Sequence, residues 1–368
     1  MVKNIGFDKI LLVTMICLIL FGLIMIYSST MILAKENHGD SFYFLKRQLL
    51  FMGVGLLLFT IIATLRHPLY LNQQFVFLVL IFCVIGLVMV FFTGKINNSY
   101  RWIRVFGFSI QPSEFAKIGV VMYLSYMFGK KNPDVNNLKT LAITMIPIFV
   151  VELLILKEPD YGSFFLILFI SMVLLFMAGL KVWYIVVATI AFIPMGYLLL
   201  VINPMRMNRI MAFLNPEKYG DSLNFQVIQS LNAIGSGGIF GQGLGNSTQK
   251  LYFLPYAYSD FIFAIIGEEV GLIGALFIII LFWIYLRQGL IIGKQSGSRH
   301  TYLLVASLTF MLVFQAMMNI SVTLGIFPTK GIPLPFISLG GSSLIASFIV
   351  TGIIVNVSRH RKTVLLND

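Results

Sequence analysis

The chain has 368 residues, of which 58% are hydrophobic and only 11% are charged. A soluble domain of this length needs far more charge to cover its surface, so the composition excludes an ordinary soluble enzyme. The formal net charge of +12 predicts contacts with anionic membrane lipids or an anionic lipid-linked substrate, and no nucleic acid is expected.

Apolar runs near 20 residues recur along the chain, and each can cross a hydrocarbon layer of roughly 30 Å as a helix. Backbone polar groups in lipid must be satisfied within the segment, and the sequence lacks the alternating pattern of a membrane barrel. We therefore predict an all-α integral membrane protein, with residues 1–368 as a single polytopic domain. Its ten predicted transmembrane helices cover about 9–31, 47–65, 72–93, 112–129, 138–156, 161–179, 182–203, 261–286, 301–323 and 340–358.

An even number of spans places both termini on one side. The basic cluster at residues 358–362 follows the last span directly, which predicts cytoplasmic termini and a large extracytoplasmic loop at about 204–260. The extracytoplasmic side is also basic, which suggests that some of its cations hold phosphate. Ordinary solvation of loops is the alternative for each of these cations, which include Arg101, Arg206, Arg209, Lys250 and Lys330.

The segment before the fourth span contains Arg101 and Trp102, which could bind phosphate beside a sugar or lipid, or could anchor the chain at the interface. The span opens with Pro112, a residue suited to the first turn of a helix. Glu114 and Lys117 share one face of that helix. They could form a structural pair or contact substrate, and the sequence leaves both readings open.

The fifth connection, KEPDYGS, is a tight turn that holds Glu158 and Asp160. The pattern favours a turn in which Asp160 caps the next helix, with a substrate contact as the alternative.

The long connection contains Gln226 and the glycine-rich stretch GSGGIFGQGLG. That stretch lacks the preceding strand and the Lys-Ser/Thr of nucleotide-binding loops, so it predicts a sharply turning loop that could close over substrate. Asp260 lies where the connection meets the next span, either as a general base or as a helix cap. Deeper in that span, Glu268 and Glu269 would pair with a cation or backbone from another span, or line a proton or ion path.

The ninth connection, GIFPTKGIPLPFISLGGSS, carries three prolines that stop regular helix. Irregular backbone at membrane depth is tolerated where it lines a cavity, so the pattern predicts a re-entrant segment. Ser342 and Ser343 would offer hydroxyl donors at the start of the last span.

The sequence shows no His/Cys metal constellation and no Ser-His-Asp set. One well-placed carboxylate with nearby cations suits glycosyl transfer from a diphosphate-linked donor, because a diphosphate leaves readily once its charge is stabilised. Arg and Lys would supply that charge, with a divalent cation such as Mg or Mn as a further candidate.

These motifs together resemble the shape, elongation, division and sporulation family, the group of RodA, FtsW and SpoVE, over nearly the whole chain. The GEE after SDFIFAI and the PTKG form resemble the FtsW/SpoVE branch. The resemblance implies an inverting peptidoglycan glycosyltransferase that polymerises lipid II, an undecaprenyl-diphosphate-linked glycan, at the outer face of the bacterial cytoplasmic membrane, with a class B penicillin-binding protein. It implies Asp260 as the catalytic base. The substrate contacts that we predict are Arg101, Trp102, Glu114, Lys117, Asp160, Arg206, Arg209, Gln226, Lys250, Lys330, Ser342 and Ser343.

The chain departs from the family pattern at three positions. Tyr256 stands in place of a glutamate, Tyr258 in place of a histidine and Leu339 in place of a tyrosine. Two alternatives therefore accompany the enzyme: a flippase for a lipid-linked precursor, and a non-catalytic scaffold for a class B penicillin-binding protein.

Overall fold

The computed structural model describes residues 7–66, 69–94, 99–105, 108–131, 133–201, 207, 211, 225–251, 253–329 and 331–359, with backbone alone for 192, 193 and 195–201. This part of the chain is helical apart from one two-stranded sheet and short connections. Its elements are α1 (Lys9–His38), α2 (Tyr43–Thr64), a 3-10 turn (Leu69–Leu71), α3 (Gln73–Val90), β1 (Ile103–Val105), β2 (Phe108–Ile110), α4 (Pro112–Tyr126), a π-helical turn (Met127–Lys131), α5 (Leu138–Lys157), α6 (Tyr161–Met177), α7 (Val182–Val201), α8 (Phe225–Gly237), α9 (Ile262–Lys294), α10 (Arg299–Thr323) and α11 (Gly341–Arg359).

The predicted all-α membrane protein is confirmed, and each predicted span coincides with a helix. In the described ranges, seven helices are long and apolar enough to cross a membrane: α1, α2, α3, α5, α9, α10 and α11. Tyr161–Met177 and Val182–Ala191 are shorter apolar stretches, and α4 has 15 residues. The prediction of one domain over the whole chain is not tested and stays a prediction.

The centre of the bundle is formed by α4, α10 and α11. All residues of α4 except Phe115 are buried, and 83% of the apolar windows of α10 and α11 is buried inside the protein. Helices around this centre expose large apolar side chains, as Phe82 and Trp183 show. Outward-facing apolar residues of this kind are expected where lipid covers the surface.

The two ends of the bundle can be told apart by their contacts. At one end, which we call the terminal side, Asp8 before α1 accepts a hydrogen bond from Gln288 Nε2 (2.7 Å), and its backbone N–H donates to Ser358 Oγ (3.2 Å). The opposite end, which we call the site side, holds the turn 158–160, the start of α9 and the segment 331–341. The candidate site lies entirely on the site side.

A break divides α9 at Gly271, whose backbone (φ 72°, ψ −165°) is not helical, whereas the sequence predicted an uninterrupted span. The glycine-rich loop after α8 fills the break. Leu272 N–H donates to Gly238 O (3.0 Å), and Gln242 N–H donates to Glu268 O (2.9 Å). Backbone groups freed at membrane depth must find such partners. The loop therefore packs into the bundle as a structural element.

The hairpin β1–β2 was not predicted. Its antiparallel register pairs Ile103 with Ile110 and Val105 with Phe108. It ends one residue before Gln111, the N-cap of α4, and begins just after Trp102. The hairpin therefore fixes the segment that carries Arg101 against the site-side end of α4.

The segment after α10 turns back into the bundle, as its prolines predicted. Ile332 O accepts from Asn319 Nδ2 (2.7 Å), and Pro333 O accepts from Gln315 Nε2 (3.1 Å). Both donors lie on α10 before its last residue, Thr323, so the returning chain sits below the end of that helix. Its backbone is satisfied by side chains, which the membrane interior requires.

Candidate active site

Asp260 lies at the site-side entrance to α9 and is partly exposed. Its backbone is fixed from two sides: the N–H donates to Tyr256 O (3.2 Å), and the carbonyl accepts from Asn319 Nδ2 (2.8 Å). The N-cap of α9 is Phe261, and no side chain caps the helix. The carboxylate of Asp260 is therefore not used as a helix cap, which was the structural alternative.

The surroundings of Asp260 make it a stronger base than an ordinary aspartate. Burial raises the pKa of Asp260 to about 6, while the Arg101 charge and the Ser259 hydroxyl act in the opposite direction. Gly331 lies against the carboxyl group, since a Cβ on that residue would be 3.1 Å from Asp260 Oδ2. A carboxylate with this pKa is ionised at neutral pH and can still accept a proton.

Arg101 connects three segments of the site. Its guanidinium Nη2 donates to the carbonyl of Pro159 in the turn between α5 and α6, and its charge faces Asp260. The sequence predicted Arg101 and Asp260 as members of one site, and the structure brings them together. The positive charge near a partly exposed carboxylate provides a place where an anionic leaving group can be stabilised.

Asp160 is held by its own surroundings. It caps α6 by accepting from Ser163 N–H (3.3 Å), as predicted. The same carboxylate accepts from Gln111 Nε2 (2.9 Å) and Ser113 Oγ (2.9 Å), and the residue is buried. These bonds fasten the start of α6 to the start of α4. A contact between Asp160 and substrate stays a prediction.

A cavity of about 360 Å³ opens on the site side beside Asp260. Arg47 and Arg104 bring positive charge to it, and Gln48 has a buried Oε1 with no hydrogen-bond partner among the described residues. Aromatic walls next to arginines suit a ligand that combines an apolar sugar face with phosphate. Asp260 is not itself in the lining, which consists of Phe44, Arg47, Gln48, Phe51, Trp102, Arg104, Ser109, Tyr256, Tyr258, Leu339, Gly340 and Gly341.

Glu114 and Lys117 form a buried ion pair at 2.8 Å, the structural reading that the sequence left open. Lys117 Nζ also donates to Gln315 Oε1 on α10 (2.7 Å). Charges inside a membrane protein are stable when paired and hydrogen-bonded in this way. The pair therefore ties α4 to α10, and a substrate role for either residue stays a prediction.

Glu268 and Glu269 also have partners, which come from the long connection and from α1. Glu269 pairs with Lys250 Nζ (2.7 Å) and accepts from Ser28 Oγ (2.5 Å). Glu268 accepts from Ser247 Oγ (2.5 Å), and from the backbone N–H (2.9 Å) and hydroxyl (3.0 Å) of Thr248. A cation or backbone from another span was predicted as partner; the cation and the backbone N–H come instead from the long connection, because that connection packs against α9, and the ammonium of Lys250 is engaged in a structural contact. A role for Lys250 in substrate binding stays a prediction.

The hydroxyls of Ser342 and Ser343 join elements at the start of α11. Ser342 Oγ accepts from Gln111 N–H (2.9 Å), and Ser343 Oγ accepts from Gln315 Nε2 (3.4 Å).

Gln226 lies in the first turn of α8 and is half-buried. The remaining predicted cations lie outside the described residues: Arg206, Arg209 and Lys330.

Several residues of the site were not predicted from the sequence. Asn319 holds the backbone of Asp260, and Gln111 and Ser113 hold Asp160. An uncharged amide or hydroxyl within an apolar helix was the available signal, but many such residues only satisfy local backbone.

No group of three or more His, Cys, Asp or Glu side chains in the described ranges is arranged to hold a metal ion. The divalent cation stays a prediction.

The sequence of this chain is similar to the sequences of known proteins. Residues 8–363 match the family described as cell cycle protein, FtsW/RodA/SpoVE. The chain is 38% identical to the probable peptidoglycan glycosyltransferase FtsW of Trichlorobacter lovleyi, over 97% of this chain and 94% of that protein. It is 36% identical to stage V sporulation protein E of Bacillus subtilis, over 96% and 98% of the two chains.

A solved structure of a peptidoglycan synthase complex, which coordinates polymerization and crosslinking, contains a chain with the same fold. The TM-score is 0.81 at 24% identity, over 98% of this chain and 99% of the other.

Proposed function

The chain belongs to the FtsW/RodA/SpoVE family of cell cycle proteins, and from this premise we propose that it is a peptidoglycan glycosyltransferase that polymerises lipid II. The relatives named as peptidoglycan glycosyltransferases support the reaction class. The observation that carries the proposal is the partly exposed Asp260 carboxylate, which faces Arg101 beside an aromatic and arginine-lined cavity.

In the proposed reaction, a sugar hydroxyl of the acceptor attacks the anomeric carbon of the donor from the face opposite its diphosphate. Asp260 takes the hydroxyl proton as the new C–O bond forms and the bond from carbon to diphosphate oxygen breaks. The diphosphate leaves with the electron pair of that bond, and the configuration at carbon is inverted. Arg101 stabilises the charge that develops on the leaving group. No second carboxylate is needed as an acid, in contrast to glycoside hydrolysis.

The proposal includes the orientation and the partner. The basic cluster that begins at Ser358 supports cytoplasmic termini, which would place the site side at the outer face of the bacterial cytoplasmic membrane. A class B penicillin-binding protein is the proposed partner. The support for it is the fold shared with a chain of a peptidoglycan synthase complex.

The flippase alternative would use the ionisable groups inside the membrane. The four such groups that the sequence singled out have internal partners: Lys117 pairs with Glu114, Glu269 with Lys250, and Glu268 accepts bonds from residues 247 and 248. Glu152 on α5 is buried, and its carboxyl oxygens have no hydrogen-bond partner among the described residues. The pairing of the four groups supports structural roles for them and gives no support to a path for substrate or protons.

The test is polymerisation by the purified protein alone. Incubation in detergent with labelled lipid II should yield glycan chains and free undecaprenyl diphosphate. Product that forms only when a catalytically competent partner is added would favour the scaffold. Movement of lipid-linked precursor across proteoliposomes without any polymer would favour the flippase.

A further inference from the structure

Glu158 is a buried carboxyl group that the proposed reaction does not use. It follows the last residue of α5, its side chain is fully buried, and neither carboxylate oxygen has a hydrogen-bond partner among the described residues. A buried carboxylate without donors is costly, so these surroundings favour the neutral acid. Burial and the charge of Asp160 raise the pKa of Glu158 to about 8, against the effect of Arg101.

Arg101 is the charged group that Glu158 shares with Asp260. Its guanidinium donates to the carbonyl of Pro159, the residue next to Glu158, and its charge lowers the pKa of both carboxyl groups. Arg101 Nε is buried and has no hydrogen-bond partner in the described part of the chain. An unpaired guanidinium N–H and an unpaired carboxyl group therefore lie in one small region, close enough for the charge of Arg101 to act on Glu158 but without a hydrogen bond between them.

Asp160 differs from its neighbour Glu158. Its carboxylate already accepts bonds from Gln111, Ser113 and the backbone of Ser163. Asp160 therefore has hydrogen-bond donors among the described residues, which Glu158 lacks. The charged groups that face Glu158 are thus Asp160 on its own turn and Arg101 from the segment before β1.

We propose that Glu158 is a positioning residue that acts through Arg101 and sets the upper pH limit of activity. As a neutral acid, Glu158 leaves the guanidinium charge to Asp260 and to the departing diphosphate. As a carboxylate, Glu158 pairs with Arg101, since charge-assisted bonds between guanidinium and carboxylate are strong. The guanidinium then interacts less with Asp260 and with the departing diphosphate. This inference rests on the proposed function and adds a second titrating group to it.

The sign of the effect follows from the two carboxyl groups. As pH falls through about 6, Asp260 gains a proton and can no longer act as base. As pH rises through about 8, Glu158 loses its proton and competes for Arg101. The dependence of kcat/KM on pH should therefore be bell-shaped, with each limb assigned to a different carboxyl group.

The test compares pH profiles of kcat/KM for wild type and Glu158→Gln, with lipid II as substrate in detergent. Glutamine imitates the neutral acid, so the variant should stay within about threefold of wild type at neutral pH. In the alkaline pH range where kcat/KM of wild type falls about tenfold per pH unit, kcat/KM of the variant should stay constant. Glu36→Gln, an exposed carboxylate at the end of α1, is the matched control and should keep the wild-type profile.

Two results would overturn the inference: an alkaline limb in Glu158→Gln that superimposes on that of wild type, or a loss at neutral pH as large as that of Asp260→Asn. Glu158→Met provides a second non-ionisable variant if the glutamine form is not recovered folded. Wild-type protein that makes no glycan at any pH would reject the proposed function. Active wild type with an unchanged alkaline limb in the variant would reject only the role of Glu158.

Discussion

At the scale of single residues, the proposed site combines one partly buried carboxylate, Asp260, with one cation, Arg101, whose charge also acts on Glu158. A carboxylate in water has a pKa near 4 and is a weak base, so its surroundings must raise that value for efficient proton transfer. Partial burial does this for Asp260, and Arg101 limits the rise. In the proposed reaction, the same arginine supplies the positive charge that stabilises the leaving diphosphate.

The acid limb of the pH profile should report Asp260. Because the base must be ionised, kcat/KM should fall as pH decreases through about 6. The measurement is the initial rate of lipid II polymerisation across a pH series in a fixed detergent. An acid limb centred near the pKa of an ordinary aspartate, about 4, would argue against a buried carboxylate as base.

Replacing Arg101 should move that limb in a defined direction. Arg101→Gln removes the charge that lowers the pKa of Asp260, so the acid limb should shift to higher pH. Loss of charge stabilisation should also reduce kcat by about 10²–10³-fold. Arg299→Gln, whose side chain bonds to Ala178 on the terminal side, controls for loss of a cation and should leave the pH profile unchanged. An unshifted limb in Arg101→Gln would show that Arg101 does not act on Asp260.

The three departures from the family pattern meet at one place. Tyr256, Tyr258 and Leu339 all line the cavity beside Asp260, and the ring of Tyr258 stacks on Phe44 at 5.7 Å. In the sequence these positions lie up to 83 residues apart, so their grouping could not be seen there. Compared with what the resemblance implied, the cavity of this chain therefore has tyrosine rings in place of a glutamate and a histidine, and an aliphatic side chain in place of a tyrosine.

At the scale of elements, the fold depends on backbone that enters the bundle without forming regular helix. The loop after α8 fills the break at Gly271, and the segment around Ile332 and Pro333 lies below the end of α10. The loop packs into the break deep inside α9, whereas the segment around Ile332 lies at the entrance to α9, where Asn319 Nδ2 donates to both Ile332 O and Asp260 O. These contacts hold the backbone that carries Asp260.

Two glycines of α8 give a matched test of this packing. A methyl group on Gly237 would collide with the carbonyl of Gly267 on α9, whereas one on Gly235 meets nothing. Gly237→Ala should destabilise the protein by about 1–3 kcal/mol through overpacking. Gly235→Ala should be neutral or stabilising by up to about 1 kcal/mol, because alanine favours helix. Thermal unfolding in detergent measures the difference, and equal melting temperatures would contradict the close contact of α8 with α9.

The sequence predicted elements whose signal is local. The ten predicted apolar runs coincide with ten helices. The segment with prolines between Phe327 and Phe336 turns back into the bundle, as predicted. The hairpin β1–β2 and the break at Gly271 were missed. A three-residue strand has almost no periodicity, and a glycine within an apolar run breaks a helix only when another chain segment supplies partners for the freed backbone groups.

For the site as well, features with a local signal were predicted, and features that depend on distant segments were not. Asp260 and Arg101 were predicted as site residues from residue type and position, and the resemblance linked them to one reaction. The role of Lys250 as the partner of Glu269 could not be foreseen, because it depends on how the long connection folds against α9. Likewise, only the structure shows that the carboxyl group of Glu158 has no hydrogen-bond partner among the described residues.

At the scale of the whole molecule, the bundle separates a terminal side from a site side, and the proposed function requires the site side to face outward. Cysteines introduced at exposed positions test this: Glu36→Cys on the site side and Lys139→Cys on the terminal side. A membrane-impermeant maleimide should label Glu36→Cys in intact cells, and Lys139→Cys only after permeabilisation. The native Cys17 and Cys83 lie within α1 and α3 and provide the background. The reverse labelling pattern would place the site in the cytoplasm.

The central claim is that the Asp260 carboxylate takes the proton of the attacking hydroxyl. The most direct measurement is the rate of lipid II polymerisation by purified Asp260→Asn beside wild type and Asp40→Asn, an exposed carboxylate paired with Lys46. The account predicts a loss of about 10²–10⁴-fold for Asp260→Asn with an unchanged melting temperature, and wild-type rates for Asp40→Asn. Polymerisation by folded Asp260→Asn at the wild-type rate would contradict it.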